Sequence, residues 1–382
     1  MNVVRIHLEN FRNHENTTID FGEGINVLLG NNGQGKTNVL EAVSYLSLTK
    51  SFYAASDGTV LQIGKNTFEV EGTIQTDANI QHTVRAAYNR EGEKQFTVNG
   101  NKPDTLASVI GRFPIVVLSP ENNAITFGGP AERRRFADLL LSQISRSYLE
   151  DSIEYRRVLR QRNKLLLDAK IDRVYSPDIV EPWSSSLIQL GSRIIWHRKQ
   201  FVEEFQIYVL RAYKDLVQNS SYTSSDREEP LLRYDSLAGV EHVKSIEEVA
   251  GLMREELRSK QFDERKRGTS LVGPHRDDMK LMINGISVQQ YASQGQHKTM
   301  LVALKIAEFF YLKERRNEAP LFLLDDVFSE LDDHRSRLLL STVASLGQTI
   351  ITTTDEAVFH NAVAWNGMNR KFWIEAGAVN PA

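Results

Sequence analysis

The chain has 382 residues, 41% of them hydrophobic and 25% charged, which is long enough for two or three packed lobes and ordinary for a globular protein. Its 46 lysines and arginines against 49 aspartates and glutamates give a formal charge of −3, which excludes a uniformly basic nucleic-acid coat and confines phosphate contacts to a local patch. The absence of cysteine excludes disulfides and thiolate metal sites. No apolar run approaches the roughly 20 residues of a membrane span, and a cytoplasmic protein without membrane contact is expected.

The opening MNVVRIHLENF reads as a strand carrying charges and unlike a signal peptide. From Met1 to about Gly111 the pattern predicts short strands: VVRIHL, GINVLL, TFEVEGTI, HTVRAAY and FTVNG, with turns at EG (91–92) and NG (99–100). One helix interrupts them, beginning in a glycine loop and running through Asn38 to about Leu48. After FPIVVLSPEN the stretch from about Pro130 to Lys260 predicts long helices. Trp183, Leu187, Leu190 and Ile194, and then Ile246, Val249, Met253 and Leu257, recur at intervals of three and four.

QNSSYTSSDREEP, at 218–230, predicts an exposed loop. Strands return from about Leu271 as KLMING, PLFLLDD and QTIITTTDE, with a helix from about Gln296 to Arg315 between the first two. The fold class is therefore α/β, a head assembled from both chain ends (1–125 and 269–382) with a mainly helical lobe (126–268) inserted.

Three segments carry chemistry. GNNGQGKT, from Gly30 through Asn31, Asn32, Gly33, Gln34, Gly35 and Lys36 to Thr37, fits G-x-x-x-x-G-K-[ST] between a strand and a helix. Glycines let backbone N–H groups face phosphate oxygens, and the helix that follows adds its positive end. Lys36 reaches the β and γ phosphates and the Thr37 hydroxyl ligates Mg²⁺ in this motif. LFLLDD, Leu321 to Asp326, is an apolar strand ending in two carboxylates. Asp325 is the candidate second holder of Mg²⁺, and Asp326 is placed to orient or deprotonate attacking water. SQGQHKT (Ser293, Gln294, Gly295, Gln296 and onward) opens a helix and offers a second anion site, although taken alone it reads as an N-cap. SELDDHR, from Ser329, is a turn suited to contacts across a subunit boundary.

In this order the phosphate loop, SQGQ, LLDD and SELD resemble the ABC-type ATPase heads of the SMC and Rad-type repair proteins. LENFRNH, GNNGQGKTNVLEAVSYL, LSPEN, GGPAERRRFADLLL, YRRVLRQRNKLL, GPHRDD, SQGQHKT and LLDDVFSELD are similar to the RecF family, over about residues 1 to 355. The resemblance implies that Ser293, Gln294 and Gly295 bind the γ-phosphate held by an opposite subunit, so that ATP closes a homodimer. It places Arg12 and Asn13, in FRNH, on the adenine side. It also implies double-stranded and gapped DNA as ligands, RecR as partner with RecO in the same pathway, and loading of a recombinase in gap repair and the SOS response.

Several positions depart from the wider ABC pattern. Asp326 stands where most heads have glutamate, Thr354 where many have a switch histidine, and Pro120 and Glu121 where the lid glutamine is usual. Slow turnover follows as an expectation, below the median of about 10 s⁻¹ for enzymes. The missing lid glutamine and switch histidine also count against a transporter subunit, whereas an ATP-binding scaffold without hydrolysis stays open as an alternative. HRD in GPHRDD lacks the kinase asparagine, whose place is taken by Met282. The lobe's cations, Arg133, Arg134, Arg135, Arg156, Arg157, Arg160, Arg162 and Lys164, with Arg265, Lys266 and Arg267 further on, are candidates for duplex phosphates. Helix spacing puts Arg156, Arg160 and Lys164 on one face, and solvated helix faces are the plainer reading of the same charges.

Overall fold

A computed structural model describes residues 1–54, 56–218, 228–359 and 362–381. The first strands are β1 (Asn2–Phe11), β2 (His14–Asp20), β3 (Ile25–Leu29), β4 (Thr67–Gln75), β5 (Gln81–Asn89), β6 (Lys94–Val98) and β7 (Ile115–Leu118). The later ones are β8 (Pro230–Asp235), β9 (Asp278–Ile283), β10 (Ile286–Ser287), β11 (Leu321–Asp325), β12 (Thr349–Thr353), β13 (Arg370–Glu375) and β14 (Ala378–Pro381). The helices are α1 (Lys36–Leu48), α2 (Asn123–Phe127), α3 (Pro130–Ile144), α4 (Arg146–Asp172) and α5 (Pro177–Gln218). They continue with α6 (Ile246–Arg267), α7 (Val288–Tyr291), α8 (Gln294–Arg316) and α9 (Asp333–Val343).

The chain divides into two compact units. The first holds Met1–Asn123, Gln294–Ala382 and the end of α5 from Arg211. It is built on two sheets. One is antiparallel, in the order β2-β1-β4-β5-β6, and β4 alternates buried and half-buried residues, as a sheet with one covered face requires. The other has the order β14-β13-β3-β12-β11-β7, with every pair parallel except β13 with the edge strand β14. INVLL, TIITT and LFLLD are buried along their whole lengths, the mark of central parallel strands covered on both faces. Helix α1 touches β1, β4 and β5 of the first sheet and β11 and β12 of the second, so it is buried all round and lacks an amphipathic stripe. Tyr45 of α1 meets Phe11 and Phe68 edge to face at centroid separations of 6.3 and 5.6 Å, and those two rings meet each other at 5.4 Å.

The second unit holds Ala124–Leu210 and Asp226–Ser293 within the described residues. Helix α4 packs on α6 and on α3, and α3 packs on β9 of a small sheet ordered β10-β9-β8. Leu187, Leu190 and Ile194 face inward from α5, as do Val249, Met253 and Leu257 from α6. Gly191 admits Met253, whose Cε would lie 2.7 Å from any added Cβ.

Two expectations change here. KLMI of KLMING lies in β9, which pairs with β8 from Pro230↔Ile283 to Asp235↔Asp278 and not with the parallel sheet. The division expected at 268/269 therefore falls at 293/294, and the first falls at 123/124. PLLRYD was missed as a strand because its partner lies some fifty residues on, beyond the reach of local periodicity. The loop expected at 218–230 lies outside the described residues over 219–227.

Candidate functional site

Strands β3, β12 and β11 lie side by side and parallel, so their carboxyl ends deliver residues to one crevice. Gly30 follows β3, Thr352 lies one residue before the end of β12 opposite Asp325, and Asp325 closes β11. At about 4.8 Å per strand the phosphate loop and Asp325 start about 10 Å apart, and side chains close the gap. Thr37 Oγ1 donates to Asp325 Oδ1 at 2.7 Å, and Thr352 Oγ1 donates to the same oxygen at 2.7 Å. Burial raises the Asp325 pKa, against the two hydroxyl hydrogen bonds that favour the carboxylate.

Lys36 is 6% exposed and turns its ammonium onto the carbonyls of Gly30 (2.7 Å) and Asn31 (2.9 Å). Burial lowers its pKa, while Asp326 and Asp325 act the other way. Asp326 is left-handed, with φ 48°, and its N–H is held by the Thr352 hydroxyl at 2.9 Å. Its Oδ1 is buried with no hydrogen-bond partner. A buried carboxylate oxygen without a donor is costly, and strain and orphaned polar atoms collect where a ligand completes the site.

These groups fit Mg²⁺. Hydroxyl and carboxylate oxygens are its preferred donors, and phosphate oxygens and water ordinarily supply the remainder of its octahedron. Among the described residues no group of three or more histidines, aspartates and glutamates could hold a metal ion alone.

Around the loop, Asn31, Asn32 and Gly33 are exposed. Gly35 is left-handed at φ 112°, and a Cβ there would come 2.5 Å from Asn13 Oδ1. Asn38 Nδ2 donates to Asn13 Oδ1 at 2.7 Å, and Asn13 Nδ2 donates to Gln34 O at 2.9 Å, so Asn13 supports the loop. Arg12 forms two 2.9 Å bonds to Glu41, which is 1% exposed, and one of 3.0 Å to Thr59 O. Glu41 and Thr352 were overlooked in the sequence. A charge inside the apolar run VLEAV, and threonines closing an apolar strand, were the available signals.

Ser293 precedes α8 and Gln294, Gly295 and Gln296 open it. The guanidinium of Arg335 lies against Gly295, where an added Cβ would come 3.0 Å from Nη2, and donates to Thr299 Oγ1 at 3.2 Å. SELDDHR thus reaches the start of α8 through Arg335. Its side chains at 330, 333 and 334 lie outside the described residues. Pro120 and Glu121 are exposed in a short 3-10 turn after β7.

The cations of the second unit separate into two groups. Arg156, Arg160 and Lys164 are exposed on α4, as are Arg135 and Arg157 nearby. Arg156 lies 3.6 Å from Asp138 and Arg157 is paired with Glu154, exposed contacts of small worth. Lys266 and Arg267 are exposed, while Arg265 lies 3.6 Å above the Tyr175 ring. Arg133 is not a surface cation. It is 3% exposed and holds Asp278 through two bonds of 2.7 and 2.9 Å, because α3 packs on β9 at that point. Arg134 is half-buried, with its guanidinium on Asp277 O at 2.5 Å. Arg162 is 4% exposed and bonded to Glu264, Ser184 and Ser270. Charge runs count cations but cannot show which are already paired. Arg133→Ala is expected to destabilise the protein by about 3 kcal/mol in urea unfolding, because Asp278 loses its buried partner. An unchanged midpoint would return Arg133 to the surface set.

GPHRDD sits in a buried polar network of this unit. Arg198 reaches Pro274 O (2.6 Å), Asp277 Oδ2 (3.2 Å) and Asp138 Oδ1 (2.8 Å), and Ser236 and Tyr234 also donate to Asp277. The Tyr155 hydroxyl meets His275 Nδ1 at 2.7 Å, and His275 Nε2 faces Ser270 O at 3.2 Å. These partners select a neutral ring carrying its proton on Nε2. Burial pushes the imidazole down to about 4 from the ordinary 6.5. The unfolded chain then takes up the proton first, so the stability His275 contributes is full above pH 6.5 and is lost as pH falls toward 4. Wild type is expected to lose about 2 kcal/mol from this group between pH 6.5 and 5, and His275→Gln to lose that much less over the same interval in urea unfolding.

The family described as RecF/RecN/SMC N terminal domain matches residues 2–372. The chain is 41% identical over 361 residues to the DNA replication and repair protein RecF of Chloroherpeton thalassium, covering 94% of this chain and 96% of that one. A solved structure of the recombination mediator protein RecF with ATP, in the RecFOR pathway, is similar with a TM-score of 0.89 at 31% identity, covering 100% of this chain and 97% of that one. An Smc head bound to the C-winged helix domain of ScpA is 12% identical with a TM-score of 0.54, covering 100% and 97%, and shares the fold alone.

Proposed function

This chain belongs to the RecF family of DNA replication and repair proteins, and on that premise we propose that it is an ATP-gated, DNA-binding recombination mediator. ATP binds on the phosphate loop, with Lys36 on the β and γ phosphates. Thr37 and Asp325 hold Mg²⁺, which supplies charge neutralisation on the phosphates. Ser293, Gln294, Gly295 and Gln296 of one copy bind the γ-phosphate carried by the other, and a ligand that fits two copies better than one drives closure of a homodimer. The closed dimer holds double-stranded DNA beside a single-stranded gap, in the cytoplasm, with RecR as partner and RecO in the same pathway. Slow hydrolysis, with Asp326 positioning water, times release, and the output is recombinase loading in gap repair, replication restart and SOS induction.

The observation that carries this reading is the meeting of Thr37, Thr352 and Asp325 within 2.7 Å hydrogen bonds, beside the buried, unpartnered Oδ1 of Asp326. The solved RecF with ATP supports the choice of nucleotide. Turnover of ATP at low salt, with and without a gapped duplex, tests it. Stimulation by the duplex that falls steeply as salt rises is the expected result, since phosphate contacts release counterions. Turnover indifferent to DNA would remove the DNA half of the proposal.

A further inference from the structure

The end of the chain returns to the phosphate loop. Strand β13 runs parallel beside β3 as far as Trp373↔Leu29, so the turn that follows β13 arrives next to Gly30. That turn is Ala376–Gly377, joining β13 to β14, with φ of 49° and 82°. Two left-handed residues are what a type I′ hairpin turn requires, and alanine is a poor occupant of its first place. A Cβ on Gly377 would meet Asn13 O at 2.2 Å, so the turn is seated too closely for any side chain.

From this turn the N–H of Ala376 donates to Gln34 Oε1 at 2.6 Å, and the N–H of Gly377 donates to Gln34 O at 3.0 Å. Asn13 Nδ2 donates to the same carbonyl at 2.9 Å. Gly377 O accepts from the Thr17 hydroxyl at 2.9 Å and lies 2.8 Å from His14 Nδ1, while His14 Nε2 lies 3.0 Å from Gly35 O. Burial pushes His14 below the ordinary histidine range, and a neutral ring has one N–H to give. Its two ring nitrogens face Gly377 O and Gly35 O, so the ring bridges the turn to the loop.

The consequence follows from the planar trans peptide, in which C=O and N–H point in opposite directions. Donors that hold Gln34 O on the outside of the loop aim the Gly35 N–H inward. The His14 contact on Gly35 O does the same for the Lys36 N–H. These are the backbone groups that a phosphate loop offers to its ligand.

We infer that the C-terminal hairpin turn, through Gln34 and with His14, is the positioning element that sets the phosphate loop before nucleotide arrives, and that it determines nucleotide affinity without touching nucleotide. Gln34 fills a variable place in the motif, and its role comes from the turn it grips. The inference rests on the reading of this loop as the ATP site.

Titration of the full chain with a fluorescent ATP analogue and Mg²⁺ tests it, alongside melting midpoints without nucleotide. Gln34→Ala and Gln34→Met, which both remove the Oε1 acceptor, are expected to weaken binding about tenfold, the scale of one well-placed hydrogen bond. Their nucleotide-free midpoints should stay at wild-type values, so the loss falls on affinity and not on stability. Gly377→Ala should weaken binding at least as much. Ala376→Gly keeps the N–H, relaxes the turn and should bind as wild type does. Wild-type affinity in both Gln34 variants overturns the inference, as does a matching fall in their nucleotide-free midpoints, which would make Gln34 merely structural. Failure of wild type itself to bind the analogue would instead overturn the nucleotide reading.

Discussion

Lys36→Ala is expected to weaken ATP binding by about 10³-fold, or about 4 kcal/mol. The ammonium sits at 6% exposure, held by two loop carbonyls, with Asp325 and Asp326 as the nearby negative charges. A triphosphate offers it charge-assisted hydrogen bonds in a half-desolvated place, each worth roughly twice a neutral one. Alanine removes the charge and those bonds together, and no neighbouring side chain replaces them. The fold should persist, since α1 is held by its packing against both sheets. Affinity within tenfold of wild type, measured with the same fluorescent analogue, would refute the assignment of this loop as the nucleotide site.

Asp326→Asn is expected to leave ATP affinity within a few fold and to lower turnover by about 10³-fold, within the range for loss of a general base. Asparagine keeps the shape and tolerates the left-handed backbone seen at φ 48°. It retains one oxygen acceptor but cannot take a proton from water. The ATP-dependent dimer, followed by light scattering, should then persist for as long as ATP is supplied. Normal hydrolysis by this variant assigns the proton acceptor elsewhere. The two substitutions separate cleanly, because one removes binding and the other leaves binding and removes release.

Much of the candidate nucleotide site was legible because its parts are local. A strand, a glycine loop and a helix occupy consecutive residues, and GNNGQGKT specifies backbone geometry directly. LFLLDD likewise encodes a buried parallel strand with acids at its carboxyl end, and the sheet places it two strands from the loop with β12 between. Binary pattern decided the inward faces of α5 and α6 for the same reason. Periodicity of 3.6 is a property of the helix itself and needs no knowledge of its partner.

What local pattern cannot supply is pairing. KLMING has the composition of a strand, but only its hydrogen bonds to PLLRYD place it in the second unit. Arg133 and Arg156 look alike in a charge run; one is buried against Asp278 and the other meets solvent. Glu41, Thr352 and the turn at Ala376–Gly377 act on residues between 27 and 342 positions away. Their roles depend on distances that tertiary packing sets. The sequence by itself determined the candidate phosphate loop, because the motif's residues are neighbours in the chain. Only the tertiary structure decided which charges are free and what holds the loop in shape, because those contacts are made by segments the chain brings together in folding.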